Sequence, residues 1–357
     1  MRRLLPLLPL LLLAASCSSS DSSNPVVPPA NDARGTAVGP DHVFAHASPL
    51  VWSAVTNEVV GFSSPTPAAG TGLLAMRIGD GVVRVLDPVT PQLLALSPDG
   101  ALVYYVVDLP PASGDAVVLR RRPIGGGAPD SLGGAPDGTP ITFVLSLDGD
   151  WLAWGRAGAD PFDPGPLVLR QLSTGDTLDV GVGTPVAIAP DGSALIFRPN
   201  PGSPALKLWI RATRTESDFN LGFPVGAGPP AWRWDATGLR MLFVDANTVR
   251  HFNHDLGTTV TVFTSPWNLD VRPPFWSPDG LSAAAWGNKP AASGNYTDHI
   301  LDVVNLGAKV GVPVATGIED PGAVTFSQDG AHVAQLFGER LYTTTAAAAA
   351  AAFTIVR

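Results

Sequence analysis

The chain has 357 residues, 45% hydrophobic and 15% charged, with a formal net charge of −9. Gly (38) and Pro (36) make up about a fifth of it, against roughly 12% in average usage, and that share of turn-formers excludes a helical bundle. Sparse charge and high apolar content exclude a disordered chain, and a single long apolar run excludes a multi-span membrane protein.

Residues 1–16, MRRLLPLLPLLLLAAS, read as a secretory leader. Arg2 and Arg3 form the positive end, Leu4 to Leu13 the apolar stretch, and Ala14-Ala15-Ser16 the small residues of a cleavage site. The apolar run is too short to span about 30 Å of hydrocarbon. The chain's one cysteine, Cys17, follows directly. In that position it resembles the lipobox of bacterial lipoproteins, in which the Cys takes a diacylglycerol thioether and becomes the mature N-terminus. The resemblance departs at Ala14, where the family usually carries Leu; ordinary secretion with an incidental Cys is the alternative.

A lipidated Cys17 leaves the mature chain without another thiol, so disulfides, zinc-thiolate sites and cysteine nucleophiles are not expected. Loss of Arg2 and Arg3 with the leader takes the charge from −9 to −11. Such a chain holds neither nucleic acid nor anionic headgroups by charge, so the membrane contact is expected through the lipid alone. Residues 17–47 carry Ser, Pro, Asp and Asn without apolar periodicity and are expected to form a flexible tether. Ser18 stands where an Asp would resemble the inner-membrane retention signal of enteric lipoproteins, which implies the outer membrane.

From residue 48 to 357 the sequence repeats. Six segments share one punctuation: Leu96-Ser-Pro-Asp-Gly100, Leu145-Ser-Leu-Asp-Gly149, Ile188-Ala-Pro-Asp-Gly192, Trp234-Asp-Ala-Thr-Gly238, Trp276-Ser-Pro-Asp-Gly280 and Phe326-Ser-Gln-Asp-Gly330. A degenerate copy, Trp52-Ser-Ala-Val-Thr-Asn57, precedes them with Asn57 in the Gly slot, and successive slots lie 42 to 50 residues apart. Ser-Pro-Asp-Gly suits a type I turn, with Pro fixing φ at the second position and Gly accepting the left-handed conformation after Asp. Asp99, Asp148, Asp191, Asp279 and Asp329 are thereby expected to form turns rather than an acidic site, each beside its glycine, Gly100, Gly149, Gly192, Gly280 or Gly330. Gly125 and Gly126, in an outer loop, are expected to be free of that constraint.

Apolar runs flank each turn, as in Gln92–Leu96 and Ala101–Val107, and third runs follow at Ala116–Arg120, Pro166–Arg170, Leu206–Ile210 and Ile300–Val304. A shorter fourth run closes the unit, as in Thr259–Phe263. Four short strands per repeat predict an all-β fold, a β-propeller of seven four-stranded blades, or six if the degenerate copy is not a blade. Seven whole units fit between the ends, with Arg340–Thr344 and Ala352–Val356 as the last outer strands. The ring is then expected to close by face packing of first on last blade, unless His42–His46 adds a strand.

These segments resemble the WD40-like repeats of the TolB type, whose blades carry a WSPDG turn between first and second strands. The resemblance covers nearly all of the mature globular chain and implies a fold rather than an activity, because propellers host many functions. The chain departs from TolB in lacking its separate N-terminal α/β domain and in carrying a lipidation signal.

No Gly-x-Ser-x-Gly, His-Glu-x-x-His or P-loop pattern occurs. Some propellers of similar repeat are metal-dependent pectate-fragment lyases, so the six histidines are candidates for a metal. His251 and His254 fall on a third strand, His299 and His332 on outer or second strands, and His42 and His46 before the first blade, none toward the axis. Neither a metal nor a cofactor is expected. Trp52, Trp234 and Trp276 share one repeat slot and are expected to pack between blades. Trp232 and Arg233 lie on an innermost strand, where an aromatic beside a guanidinium can bind a peptide or sugar.

The expected function is that of a monomeric, lipid-anchored, non-catalytic propeller that binds a protein or glycan at the bacterial cell envelope. The alternative is a hydrolase or lyase acting on an envelope or extracellular polysaccharide or peptide, with carboxylates at the channel mouth.

Overall fold

The computed structural model describes residues 36–64, 70–109, 116–136, 139–157, 163–200, 204–220, 230–270, 272–290, 297–318, 321–337 and 340–346. The leader, Cys17 and the run Ala352–Val356 lie outside them. Among the described residues the strands form seven sheets, one per repeat. After β1 (Thr36–Val38), blade 1 holds β2 (Val51–Ser53), β3 (Glu58–Phe62), β4 (Leu73–Arg77) and β5 (Val83–Asp87). Blade 2 runs β6 (Pro91–Leu96), β7 (Leu102–Asp108), β8 (Val117–Pro123) and β9 (Asp130–Ala135). Blade 3 holds β10 (Ile141–Leu145), β11 (Trp151–Ala157), β12 (Pro164–Gln171) and β13 (Thr177–Val182). Blade 4 holds β14 (Thr184–Ile188), β15 (Ala194–Arg198), β16 (Leu206–Ile210) and β17 (Thr215–Phe219). Blade 5 holds β18 (Ala231–Asp235), β19 (Gly238–Asp245), β20 (Thr248–Asn253) and β21 (Thr258–Thr264). In blade 6 the innermost position is shared by β22 (Asn268–Leu269) and β23 (Phe275–Trp276), followed by β24 (Ser282–Pro290), β25 (Thr297–Asn305) and β26 (Val310–Ile318). Blade 7 holds β27 (Pro321–Phe326), β28 (His332–Phe337) and β29 (Arg340–Thr345).

The protein is a seven-bladed β-propeller, and the degenerate copy is blade 1. Its Asn57 has φ of 51°, a left-handed conformation that Asn tolerates better than most residues.

Ring closure differs from the expectation. The blade built by the last repeat is completed from the other end of the chain: β1 pairs antiparallel with β29, Thr36 opposite Thr343 and Val38 opposite Leu341. The expectation that no blade is split between the termini is thus corrected, and so is a tether running to residue 47. Hydrogen bonding drives the difference, because a paired outer strand satisfies backbone groups of β29 that face packing would leave open. Val38 adds a buried side chain to the cluster of Trp52, Leu74, Leu336 and Leu341 between blades 7 and 1. His42–His46 adds no strand: it makes a bridge from Phe44 to Ser63 and buries Val43 and Phe44 in the same cluster.

The repeat turn is built as its composition requires. In blade 2 the Gly100 N–H donates to the Ser97 carbonyl at 2.8 Å. The Ser97 hydroxyl donates to Asp99 Oδ1 at 2.5 Å, and that oxygen also accepts from the Ala101 N–H at 3.0 Å. Ser146 with Asp148, Ser277 with Asp279 and Ser327 with Asp329 repeat the arrangement. Blade 4 has Ala189 in the Ser slot, and Asp191 still accepts from the Ser193 N–H at 2.9 Å. The five glycines that follow have φ between 65° and 79°. Blade 5 departs: Asp235 pairs directly with Gly238 across a two-residue connection. Gly126 has φ of 118°, so it too has a backbone that side chains resist, contrary to the expectation; Gly125 is free.

A second recurrent bond fixes which turns share a face. In each blade the N–H just past the third strand donates to a carbonyl at or beside the first turn: Ile78 to Asn57, Ile124 to Ala101, Leu172 to Asp150, Arg211 to Ser193, His254 to Leu239, Leu306 to Leu281 and Ala346 to Ala331. The turns between first and second strands and those between third and fourth strands therefore lie together on one face of the ring, the turn face. The remaining connections lie on the opposite, loop face. Apolar clusters fill the spaces between blades, as Val60, Leu73, Val103 and Tyr105 do between blades 1 and 2. Burial of these contiguous faces drives assembly of the ring.

Candidate functional site

The innermost strands surround an axial cavity of about 660 Å³. Its wall is contributed by β6, β10, β14, β18 and β23 and is largely apolar, with Leu96, Leu145, Val186, Ile188, Trp232 and Trp234 among its residues. It reaches the turn face, where Ser97, Ser146, Ser277, Asp279 and Gln328 join the lining. A smaller apolar space of about 320 Å³ lies between Pro49 and Leu50, Pro274 to Trp276 and Ala323 to Phe326. It borders the interrupted innermost strand of blade 6, where Pro273 and Pro274 supply no N–H for a ladder.

Trp232 and Arg233 both line the larger cavity. Trp232 packs toward Met241, Phe243 and Phe252 of its own blade, with Phe219 of blade 4 at 6.5 Å between ring centroids. Arg233 is turned to the next blade. Its Nη1 and Nη2 donate to the carbonyls of Ser277 at 3.2 Å and Pro278 at 2.9 Å, and its Nε donates to Asp235 at 2.8 Å. The guanidinium is a latch between blades 5 and 6, and its binding capacity is largely engaged within the ring. Trp276 of blade 6 donates from its indole N–H to the Ala231 carbonyl at 3.0 Å, a second tie across that joint.

Asp235 is the most heavily engaged acid at the cavity. It accepts from Arg233, from the Thr237 N–H and hydroxyl, and from Arg240. Burial alone would raise its carboxyl, but the hydrogen bonds from Thr237 and Arg233 and the Arg240 charge outweigh it and hold the group at about 2. It is ionised at any neutral pH, suited to fixing cations in place and not to delivering a proton.

The repeat carboxylates accept hydrogen bonds within their turns and are exposed on the turn face. Their glycines have a second role that the sequence did not disclose. A Cβ on Gly149 would lie 2.7 Å from Pro98, one on Gly280 2.6 Å from Arg233, and one on Gly330 2.9 Å from Asp279. On Gly192 it would overlap the Trp151 indole, and on Gly100 the Gln328 amide. Each turn glycine thus admits a side chain of another blade, the preceding one in four of the five cases.

Gln328 is the functional surprise of the turns. It occupies the slot that holds Pro in blades 2, 4 and 6. From blade 7 its amide crosses blade 1: Nε2 donates to the Pro98 carbonyl at 2.9 Å, and Oε1 accepts from the Ala54 N–H at 3.1 Å. A long polar side chain in a Pro slot was the available signal.

Of the histidines, His251 lies on β20, where burial lowers its affinity for a proton and the nearby Arg240 charge adds to the effect. It meets Trp276 edge-on at 5.8 Å between ring centroids. His254 stacks on Phe219, and His299 and His332 lie on β25 and β28. None lines the axial cavity. Among the described residues no three His, Cys, Asp or Glu side chains gather as metal ligands.

No family model matches the sequence, and no curated protein matches it. Solved structures do. TolB from Acinetobacter baumannii is 14% identical, with 80% of this chain and 72% of that chain covered and a TM-score of 0.46. An oligogalacturonate lyase in complex with manganese is 14% identical, with 87% and 90% covered and a TM-score of 0.59. The oligogalacturonate lyase from Vibrio parahaemolyticus is 11% identical, with 88% and 92% covered and a TM-score of 0.60. At these identities the likeness to the lyases is one of fold, and the chain shares with them a β-propeller architecture over most of its length.

Proposed function

We propose that the protein is a non-catalytic binding propeller, anchored in the bacterial cell envelope by lipid on Cys17, that receives a protein or glycan partner at the turn-face mouth of its channel. The observation that carries this reading is the cavity itself: about 660 Å³, walled by Leu, Val, Ile and Trp side chains and rimmed by a few polar groups. Concave, mostly apolar sites with few placed polar groups are the usual form of a binding pocket. The outer membrane is the favoured location by the residue after Cys17.

The alternative, a hydrolase or lyase, would draw on Asp235 and Asp279 at the mouth. Asp235 is fully paired with Arg233 and Arg240, which fits holding the ring together better than acid or base chemistry on a bound chain.

The test is co-purification from detergent-solubilised envelope with the full-length protein and a Leu145→Glu variant that puts a charge in the channel wall. Wild type should retain a partner that the variant loses, with both showing the same thermal transition within a few degrees. Equal retention by the two would contradict a channel-mouth site.

A further inference from the structure

The axial cavity opens on the turn face, and the turns of that face all belong to the described residues. Two stretches outside the described residues meet it: 1–35, which leads into β1 beside the turn-face end of β29, and 347–357, which follows Ala346.

The ring fixes where the second stretch leaves. The Ala346 N–H donates to the Ala331 carbonyl at 2.8 Å, and Ala346 packs on the apolar cluster between blades 6 and 7. Gly330 of the same turn abuts Asp279, and Asp279 and the neighbouring Gln328 both line the cavity. Strands lie about 4.8 Å apart, so β29, third in its blade, is about 10 Å outward of the innermost β27. Seven residue steps separate Ala346 from Phe353; they span about 10 Å as helix and about 24 Å fully extended. Either length reaches the innermost strands.

The run Phe353-Thr-Ile-Val356 also matches the cavity in chemistry. Its Phe, Ile and Val side chains suit a wall of Leu96, Leu145, Val186, Ile188, Trp232 and Trp234. The polar groups at the mouth are engaged within the ring: the Ser97, Ser146 and Ser277 hydroxyls with their turn aspartates, the Gln328 amide with backbone, and Arg233 with Asp235 and two carbonyls. That favours an occupant that asks for few hydrogen bonds. Residues 18–35, by contrast, enter one strand further out and carry Val26 and Val27 as their only large aliphatic side chains. The outer edge of β29, where a final strand of the last repeat would pair, is held by β1.

We propose that Phe353–Val356 is a built-in ligand of the axial cavity, seated at its turn-face mouth until a partner displaces it. Tethering by so short a stretch supplies an effective concentration in the millimolar range, enough for weak apolar contacts to keep the mouth filled. The displacement rests on the binding reading above; the seating does not.

The test puts a benzophenone side chain at Phe353 of the full-length protein, purified without its partner and then irradiated. Adducts should form within the chain at cavity residues such as Leu96, Leu145 or Trp232, and Leu145→Glu should cut their yield about threefold or more by placing a charge in the wall. Adducts confined to β1 or β29 would make the run a fifth strand of blade 7 and overturn the proposal. So would adducts only to a second molecule, or none at all. Phe353→Asp, a change outside the described strands, should raise partner retention from solubilised envelope about threefold, since the tethered competitor is weakened. If Leu145→Glu loses the partner while Phe353→Asp leaves its retention unchanged, the run does not hold the mouth and the proposal fails. Cavity adducts together with full partner retention by Leu145→Glu would leave the run seated and sink the channel-mouth function instead.

Discussion

The side-chain amide of Gln328 donates to the main-chain carbonyl of Pro98 at 2.9 Å, across 230 residues of chain and past the whole of blade 1. Blade 1 has an innermost strand of only three residues, Val51–Ser53, and the amide crosses directly after it, at the Ala54 N–H. Together with β1 on β29, this bond closes the ring on the turn face. Gln328→Ala should destabilise the fold by about 1 kcal/mol, since two solvent-exposed hydrogen bonds are lost. Gln328→Pro, although it restores the residue common in this slot, should not recover the loss. Denaturant unfolding midpoints decide the matter, and unchanged midpoints would remove Gln328 from the closure.

The turn glycines should be ranked by what stands over them. Gly192→Ala forces a Cβ into the Trp151 indole and leaves a left-handed backbone at φ 65°, so a loss of about 2–4 kcal/mol is expected. Gly280→Ala should cost somewhat less, because the flexible Arg233 side chain can shift, though its carbonyl bonds are disturbed. Gly126→Ala should cost about 1 kcal/mol from the backbone alone, and Gly125→Ala, with open space around it, less than about 0.5 kcal/mol. Equal losses at Gly125 and Gly192 would contradict the packing between blades described above.

Asp302 on β25 is buried, with the Ser265 hydroxyl donating to it at 3.2 Å. Burial pushes its carboxyl up to about 7, only partly offset by that hydrogen bond. A folded value above the unfolded one means that its favourable contribution is complete below about pH 4 and is lost as pH rises through 7. Asp302→Asn keeps the acceptor and removes the charge. It should leave stability at pH 4 nearly unchanged and raise it at pH 8 by about 2–4 kcal/mol. Asp235 has the opposite sign: its contribution is present above about pH 4 and is lost as pH falls toward 2. Thermal melts of both proteins across this range read the difference directly, and parallel curves would contradict an ionising buried acid.

Cys17→Ser tests the anchor. The variant should leave the membrane fraction, and a fatty-acid analogue should label the wild type alone. Equal membrane retention of the two would contradict lipidation.

How much of this was legible in the sequence follows from what each feature depends on. The repeat turns were legible because Ser, Asp and Gly act within five residues of one another, and Asn57 in the Gly slot pointed to blade 1 but left six blades as the alternative. Third strands such as Leu206–Ile210 emerged with their bounds. Strand β1 was hidden because three residues, with only Val38 buried, carry no period against Ser- and Pro-rich surroundings. Arg233 could be placed on an innermost strand, but not its partners, the carbonyls 44 and 45 residues later. Asp302 was concealed inside an apolar run, Ile300–Val304, that reads as an ordinary strand. In each case a contact between blades, rather than a local preference, decides the outcome.

Hydrogen–deuterium exchange of the full-length protein, alone and bound to the partner that co-purifies with it, tests the central claim most directly. If the partner sits at the channel mouth, slowed exchange should appear in innermost strands β6, β10 and β14 and in the turns after them, while outer strands β9 and β13 stay unchanged. Protection confined to the outer strands, or to the loop face, would contradict a propeller that binds through its turn-face channel.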